Sequence, residues 1–111
     1  MSERTDRDFV QDIQEASRRI ASYTAEMSYE TFLADTKTQD AVVRNLEIIG
    51  EAAKNLTEDL RNQHSEIPWK SLAGVRDKLI HHYFGVNFDI VWQIVTVELP
   101  QVAAPLTKIL E

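Results

Sequence analysis

The stretch RDKLIHHYF, residues 76 to 84, gathers an arginine, two adjacent histidines and a tyrosine near the end of an apolar segment. Arginine stays protonated and offers paired donors that match phosphate oxygens. Arg76 can therefore clamp a phosphodiester and stabilise the added charge of a five-coordinate phosphorane. Histidine exchanges protons near neutral pH, so His81 can deprotonate a ribose 2′-hydroxyl or protonate the leaving 5′-oxygen. At the end of a helix the macrodipole favours imidazolium, the form a general acid needs. Tyr83 adds a hydrogen-bond donor beside them. Together these groups suit RNA cleavage without metal.

Other chemistries fit the chain poorly. His81 and His82 are neighbours, about 100° apart on a helix, and no histidine at i+4 and no cysteine completes a ligand set, so no metal site is expected. Neither a glycine-rich phosphate loop nor a serine-nucleophile elbow occurs, and no cofactor is expected. His82 reads as a ring packed at the edge of the apolar seam.

The helix that carries these groups should start near Pro68, which is tolerated in a first helical turn. It should bury Leu72, Val75 and Leu79, run about four turns, and stop at a left-handed Gly85. With that seam inward, Asp77 and His81 point away from the core and Arg76, His82 and Tyr83 flank it. Asp77 lies four residues before His81, so its carboxylate can hold one ring nitrogen and leave the other for substrate. Arg76 and His81 are roughly 140° apart and do not converge on their own. Either the last turn distorts, or a second copy of the chain supplies the missing group across a two-fold axis. The second route is favoured. Val43, Ile48, Ile80, Ile90, Val91 and Ile94 lie off the apolar seams and would serve a dimer interface or simply widen the core.

Three segments repeat apolar steps of three and four: Phe9 to Met27, Val42 to Leu60 and Phe88 to Ile109. That spacing predicts three long amphipathic helices packed in a bundle. Thr36 with Gln39 reads as a capping box before the second helix, and SYETFLAD as a short helix ahead of it. Pro100 and Pro105 should kink or split the last. With three glycines and no alternating strand pattern, the class is all-α: an up-and-down bundle of about four to five helices in one domain, 1–111.

The 111 residues carry a net charge of -6, which argues against wholesale coating of nucleic acid. Yet Arg61 to Tyr83 holds four Lys/Arg against two acids, together with all three histidines, so an anionic ligand can be focused there. The absence of cysteine, of a signal-peptide pattern and of an apolar run near ~20 residues fits a cytoplasmic chain without a membrane partner.

DAVVRNLEIIGEAAKNL (40 to 56), IPWKSLAGVRDKLIHHYFGVNFDIVW (67 to 92) and the later ELPQVAAPL closely resemble the HepT family of HEPN-domain proteins. These are the toxin partners of small nucleotidyltransferase antitoxins. The family's Arg-x4-His-x-Tyr motif falls on Arg76, His81 and Tyr83, and Asp77 stands where the family often has asparagine. The resemblance implies a HEPN-like homodimer acting as a metal-independent ribonuclease in a type VII-like toxin–antitoxin system, its two motifs meeting in an interface cleft. It implies RNA as substrate and a nucleotidyltransferase antitoxin as partner, in a complex that can be larger than the dimer. It further implies that this partner silences the toxin by adenylylating Tyr83. The alternative is a non-catalytic subunit that binds nucleotide or RNA and docks the transferase.

Overall fold

The computed structural model describes residues 3–79 and 85–111. Among them the regular structure is helical, which confirms the all-α class. The chain runs through α1 (Asp6–Thr24), α2 (Tyr29–Leu33), α3 (Thr36–Lys54), α4 (Glu58–Gln63), α5 (Trp69–Ala73), α6 (Val75–Leu79), α7 (Phe88–Gln93), a π-helical turn (Ile94–Glu98) and α8 (Leu99–Leu110). The helices are shorter and more often interrupted than four or five continuous rods.

At the centre α1 packs on α3 along one side and on α8 along the other. Val10, Ile13, Ala16 and Ile20 of α1 meet a core that includes Val42, Leu46 and Ile49 of α3 and Val102 and Leu106 of α8, all buried. The predicted first seam is right in its middle and wrong at its ends. Val10 is buried where Phe9 was expected and Phe9 only partly so, while Tyr23 is 41% exposed. At the later end, α1 stops at Thr24 and the chain turns through Glu26, whose φ is 63°.

Capping chemistry sets several boundaries differently from the apolar spacing. The N-cap of α3 is Asp35, whose side chain accepts from the Thr38 N–H, and that bond holds the carboxyl below its usual range. Gln39, expected in a capping box with Thr36, is instead buried, and its amide donates to the Phe32 and Leu33 carbonyls at 2.9 Å each. The second seam also breaks early. Helix α3 ends at Lys54, Thr57 caps α4, and the Asp6 carboxylate fastens that cap by accepting from the Thr57 N–H at 3.0 Å. Leu56 is nevertheless buried, because the connecting turn keeps it on the core side.

The predicted short helix is present as α2, and its Phe32 is fully buried against Phe88 and Trp92 with ring centroids 5.9 and 5.1 Å away. The predicted disruption of the last helix takes the form of the π turn. Pro100 has no N–H and its ring would crowd the carbonyl four residues back, so the helix widens there and the Leu99 N–H reaches the Ile94 carbonyl, five residues away. Pro105 lies inside α8 without ending it. Of the off-seam apolar residues, Val91 and Ile94 are buried and Val43, Ile48 and Ile90 are partly buried against the core. The core therefore absorbs Val91 and Ile94, while Ile80 lies outside the described residues.

One close approach sets the position of α5 and α6. A Cβ built on Gly50 would lie 3.3 Å from Val75 Cγ1 and 3.5 Å from the Leu72 carbonyl oxygen. The two segments therefore lie close against α3 here, and a bulky side chain would push them away. Gly50→Leu should lower stability by about 1–3 kcal/mol through overpacking. A thermal melt should read this as a drop of several degrees in Tm.

Candidate active site

Trp69 and the hydrogen bonds around it anchor the start of the segment that bears Arg76. Its ring is buried, and its indole N–H donates to the His64 carbonyl at 2.9 Å, which ties α5 to the end of α4. Pro68 occupies the N-cap rather than the first turn. The continuous four-turn helix predicted from here does not form: Gly74 ends α5 at φ -91°, ψ 6°, and α6 begins at the next residue. Leu72, Val75 and Leu79 are buried as expected, because both short helices turn the same edge inward.

Arg76 and Asp77 are exposed, in agreement with the wheel that placed them off the core. His81, His82 and Tyr83 lie outside the described residues, and so do the Arg76–His81 and Asp77–His81 relationships. The two ends of their segment are described. The Leu79 carbonyl accepts from the Asn87 N–H at 2.8 Å, so the chain leaves α6 and returns to the same point. Gly85 has φ +102°, the left-handed conformation predicted for it, with open space where a Cβ would stand.

Asn87 was not singled out by its sequence context. Its side-chain oxygen accepts from the N–H groups of Asp89 and Ile90 at 3.1 and 3.2 Å, capping α7, while its own N–H closes the segment onto Leu79. The signal was available as an asparagine directly ahead of an apolar helical run with aspartate in its first turn.

Arg76 opens into a cleft of about 330 Å³ between α1, α3 and α5. Arg44 and Lys54 of α3 share this cleft, with Glu47, Glu51 and Asp12. Asp12 is already paired with Arg4. Among the described residues no carboxylate lies within ion-pairing distance of Arg44, Lys54 or Arg76. Residues 80–83 of the predicted basic stretch lie outside the described residues, and the cleft adds cations from beyond that stretch. The cationic neighbours of Arg76 in the cleft come from a helix more than twenty residues earlier in the chain.

The chain matches the sequence profile described as ribonuclease HepT-like over residues 13–109, a span that includes Arg76, His81 and Tyr83. It belongs to this family. A Methanocaldococcus jannaschii protein named as an RNase is 48% identical over 105 residues, which cover 95% of this chain and 87% of that one. A protein of Thermococcus cleftensis, named a probable ribonuclease HepT, is 46% identical over 106 residues, or 96% of each chain. No solved structure matches. Within this HepT-like chain, no helix among the described residues is long and apolar enough to cross a membrane.

The Asn87 cap gives a direct test of how the ends of the motif segment are held. Asn87→Ala should destabilise the protein by about 1 kcal/mol, while Asn87→Asp, an equally good cap, should stay near the native value. Urea unfolding of the two variants separates these outcomes.

Proposed function

We propose that this chain is a metal-independent ribonuclease whose site is assembled when two copies pair. The observation that carries the reading is the family match across a stretch with Arg76, His81 and Tyr83 all in place. The exposure of Arg76 at an open cleft supports it.

In this mechanism the guanidinium of Arg76 holds the non-bridging oxygens of the scissile phosphate. A ribose 2′-oxygen attacks phosphorus as its proton passes to a base, and the bond to the 5′-oxygen breaks as that oxygen takes up a proton. His81 serves one of these proton transfers, and the copy of His81 in the second chain is available for the other. The products are a 2′,3′-cyclic phosphate and a free 5′-hydroxyl. Arg76 contributes most where charge accumulates on the phosphorane. Asp77 orients His81 by holding one of its ring nitrogens.

The same reading places the protein as the toxin of a toxin–antitoxin pair whose nucleotidyltransferase partner adenylylates Tyr83. An adenylate there adds bulk and negative charge beside Arg76, and so excludes an RNA phosphate from the cleft. The net charge of -6 favours a second reading, in which the cleft binds nucleotide or RNA without cutting it.

Incubation of the purified protein with RNA in excess chelator separates the two. The expected result is cleavage that leaves 2′,3′-cyclic phosphate ends and falls roughly 10²-fold or more in Arg76→Ala and in His81→Ala. Cleavage that stops on chelation, or that persists in His81→Ala, contradicts the proposal. After co-expression with the transferase, intact-mass analysis should show AMP added to the chain and none in Tyr83→Phe.

A further inference from the structure

We infer that the cleft beside Arg76 is a track for single-stranded RNA, in which Arg44 and Lys54 hold phosphates on either side of the one that Arg76 meets. The inference rests on the ribonuclease reading for its choice of ligand and on the following placement for its geometry.

Arg44, Glu47, Ile48, Glu51 and Lys54 recur at helical spacing along α3, so one outer face of that helix forms a wall of the cleft. Gly50 lies between Arg44 and Lys54 in the same helix, and Val75 sits against it. Arg76 follows Val75 directly, which brings it beside the middle of that wall. From Arg44 to Lys54 the helix rises about 15 Å at ~1.5 Å per residue. That distance is enough for a single strand to present more than one phosphate to the wall.

The charges are arranged for a polyanion that touches at intervals. All three cations are exposed, and among the described residues none is within ion-pairing distance of an acid. Glu47 and Glu51 occupy the intervals, where they repel phosphate and accept from the amino groups of bases. Arg44, Lys54 and Arg76, with Arg4 beside Asp12, set four positive charges against the three of Asp12, Glu47 and Glu51, in a chain of net charge -6. Phosphate is thereby attracted here and discouraged elsewhere.

The test measures affinity for a 2′-O-methyl RNA strand long enough to span the cleft, which cannot be cleaved, over a series of salt concentrations. Arg44→Gln and Lys54→Gln should each weaken binding several-fold. Each should also reduce the slope of log affinity against log salt by ~0.7, the change expected when one phosphate is no longer neutralised. Lys108→Gln, an exposed cation on α8, should leave both unchanged. Failure of the wild type to bind, an unchanged slope in both cleft variants, or an equal reduction in Lys108→Gln overturns the track. Because the probe is inert, the ribonuclease reading fails separately: a reduced slope in a protein that cuts no RNA removes the enzyme and keeps the track. Cleavage of ordinary RNA with unmoved slopes does the reverse.

Discussion

Gly50 has no side chain, and Val75 lies so close that a Cβ there would stand 3.3 Å from its Cγ1. This close approach holds the segment bearing Arg76 against α3. Because Val75 faces inward there, its neighbours Arg76 and Asp77 face outward, and because Gly50 lies between Arg44 and Lys54 on α3, the outward face is flanked by those two cations. Burial of Leu72 and Leu79 on the same side supplies the apolar area that keeps two short helices in place, since helices of five residues have little stability of their own. Trp69 at one end, and the Asn87–Leu79 hydrogen bond at the other, then hold the entrance and exit of the region.

Charge is distributed on this scaffold in two distinct ways. Away from the cleft, acids are used locally: Glu15 is drawn down to about 2 by hydrogen bonds from Arg18 and Arg19, and Asp8 closes the capping box of α1. Around Arg76 the cations lack such partners among the described residues. A cation already satisfied by a carboxylate would have to give up that bond to receive phosphate. The proposed site avoids this cost, which is how an acidic chain can present a local anion-binding surface.

Much of this was legible in the sequence, and the exceptions share a cause. Ile13, Ala16 and Ile20, or Leu99, Val102 and Leu106, announce buried helix faces because helical period and burial follow directly from side-chain spacing. Gly85 was legible because a positive φ strongly favours glycine. The break at Gly74 and the end of α3 ahead of Leu56 were not, since apolar spacing continues across both and backbone hydrogen bonding decides the boundary, and at the start of α3 Asp35 and Thr36 are both good caps that spacing alone does not separate. The grouping of Arg44 and Lys54 with Arg76 was least legible of all. It depends on packing between segments far apart in sequence, which a count of charges within one stretch does not contain.

For the proposed enzyme the decisive relation is between two groups on one short stretch that an ideal helix turns about 140° apart. Burial of Val91 and Ile94 in the monomer core leaves a pairing surface to be built from other residues, with Val43, Ile48 and Ile90 still only partly covered. Mixing Arg76→Ala chains with His81→Ala chains under conditions that exchange subunits tests the shared site most directly. If the guanidinium of one copy works with the imidazole of the other, the half of randomly paired dimers that are mixed keep one such pair, and cleavage should rise clearly above that of either variant alone while staying below the wild-type rate. No recovery from the mixture, with exchange verified, would contradict assembly of the site across two chains.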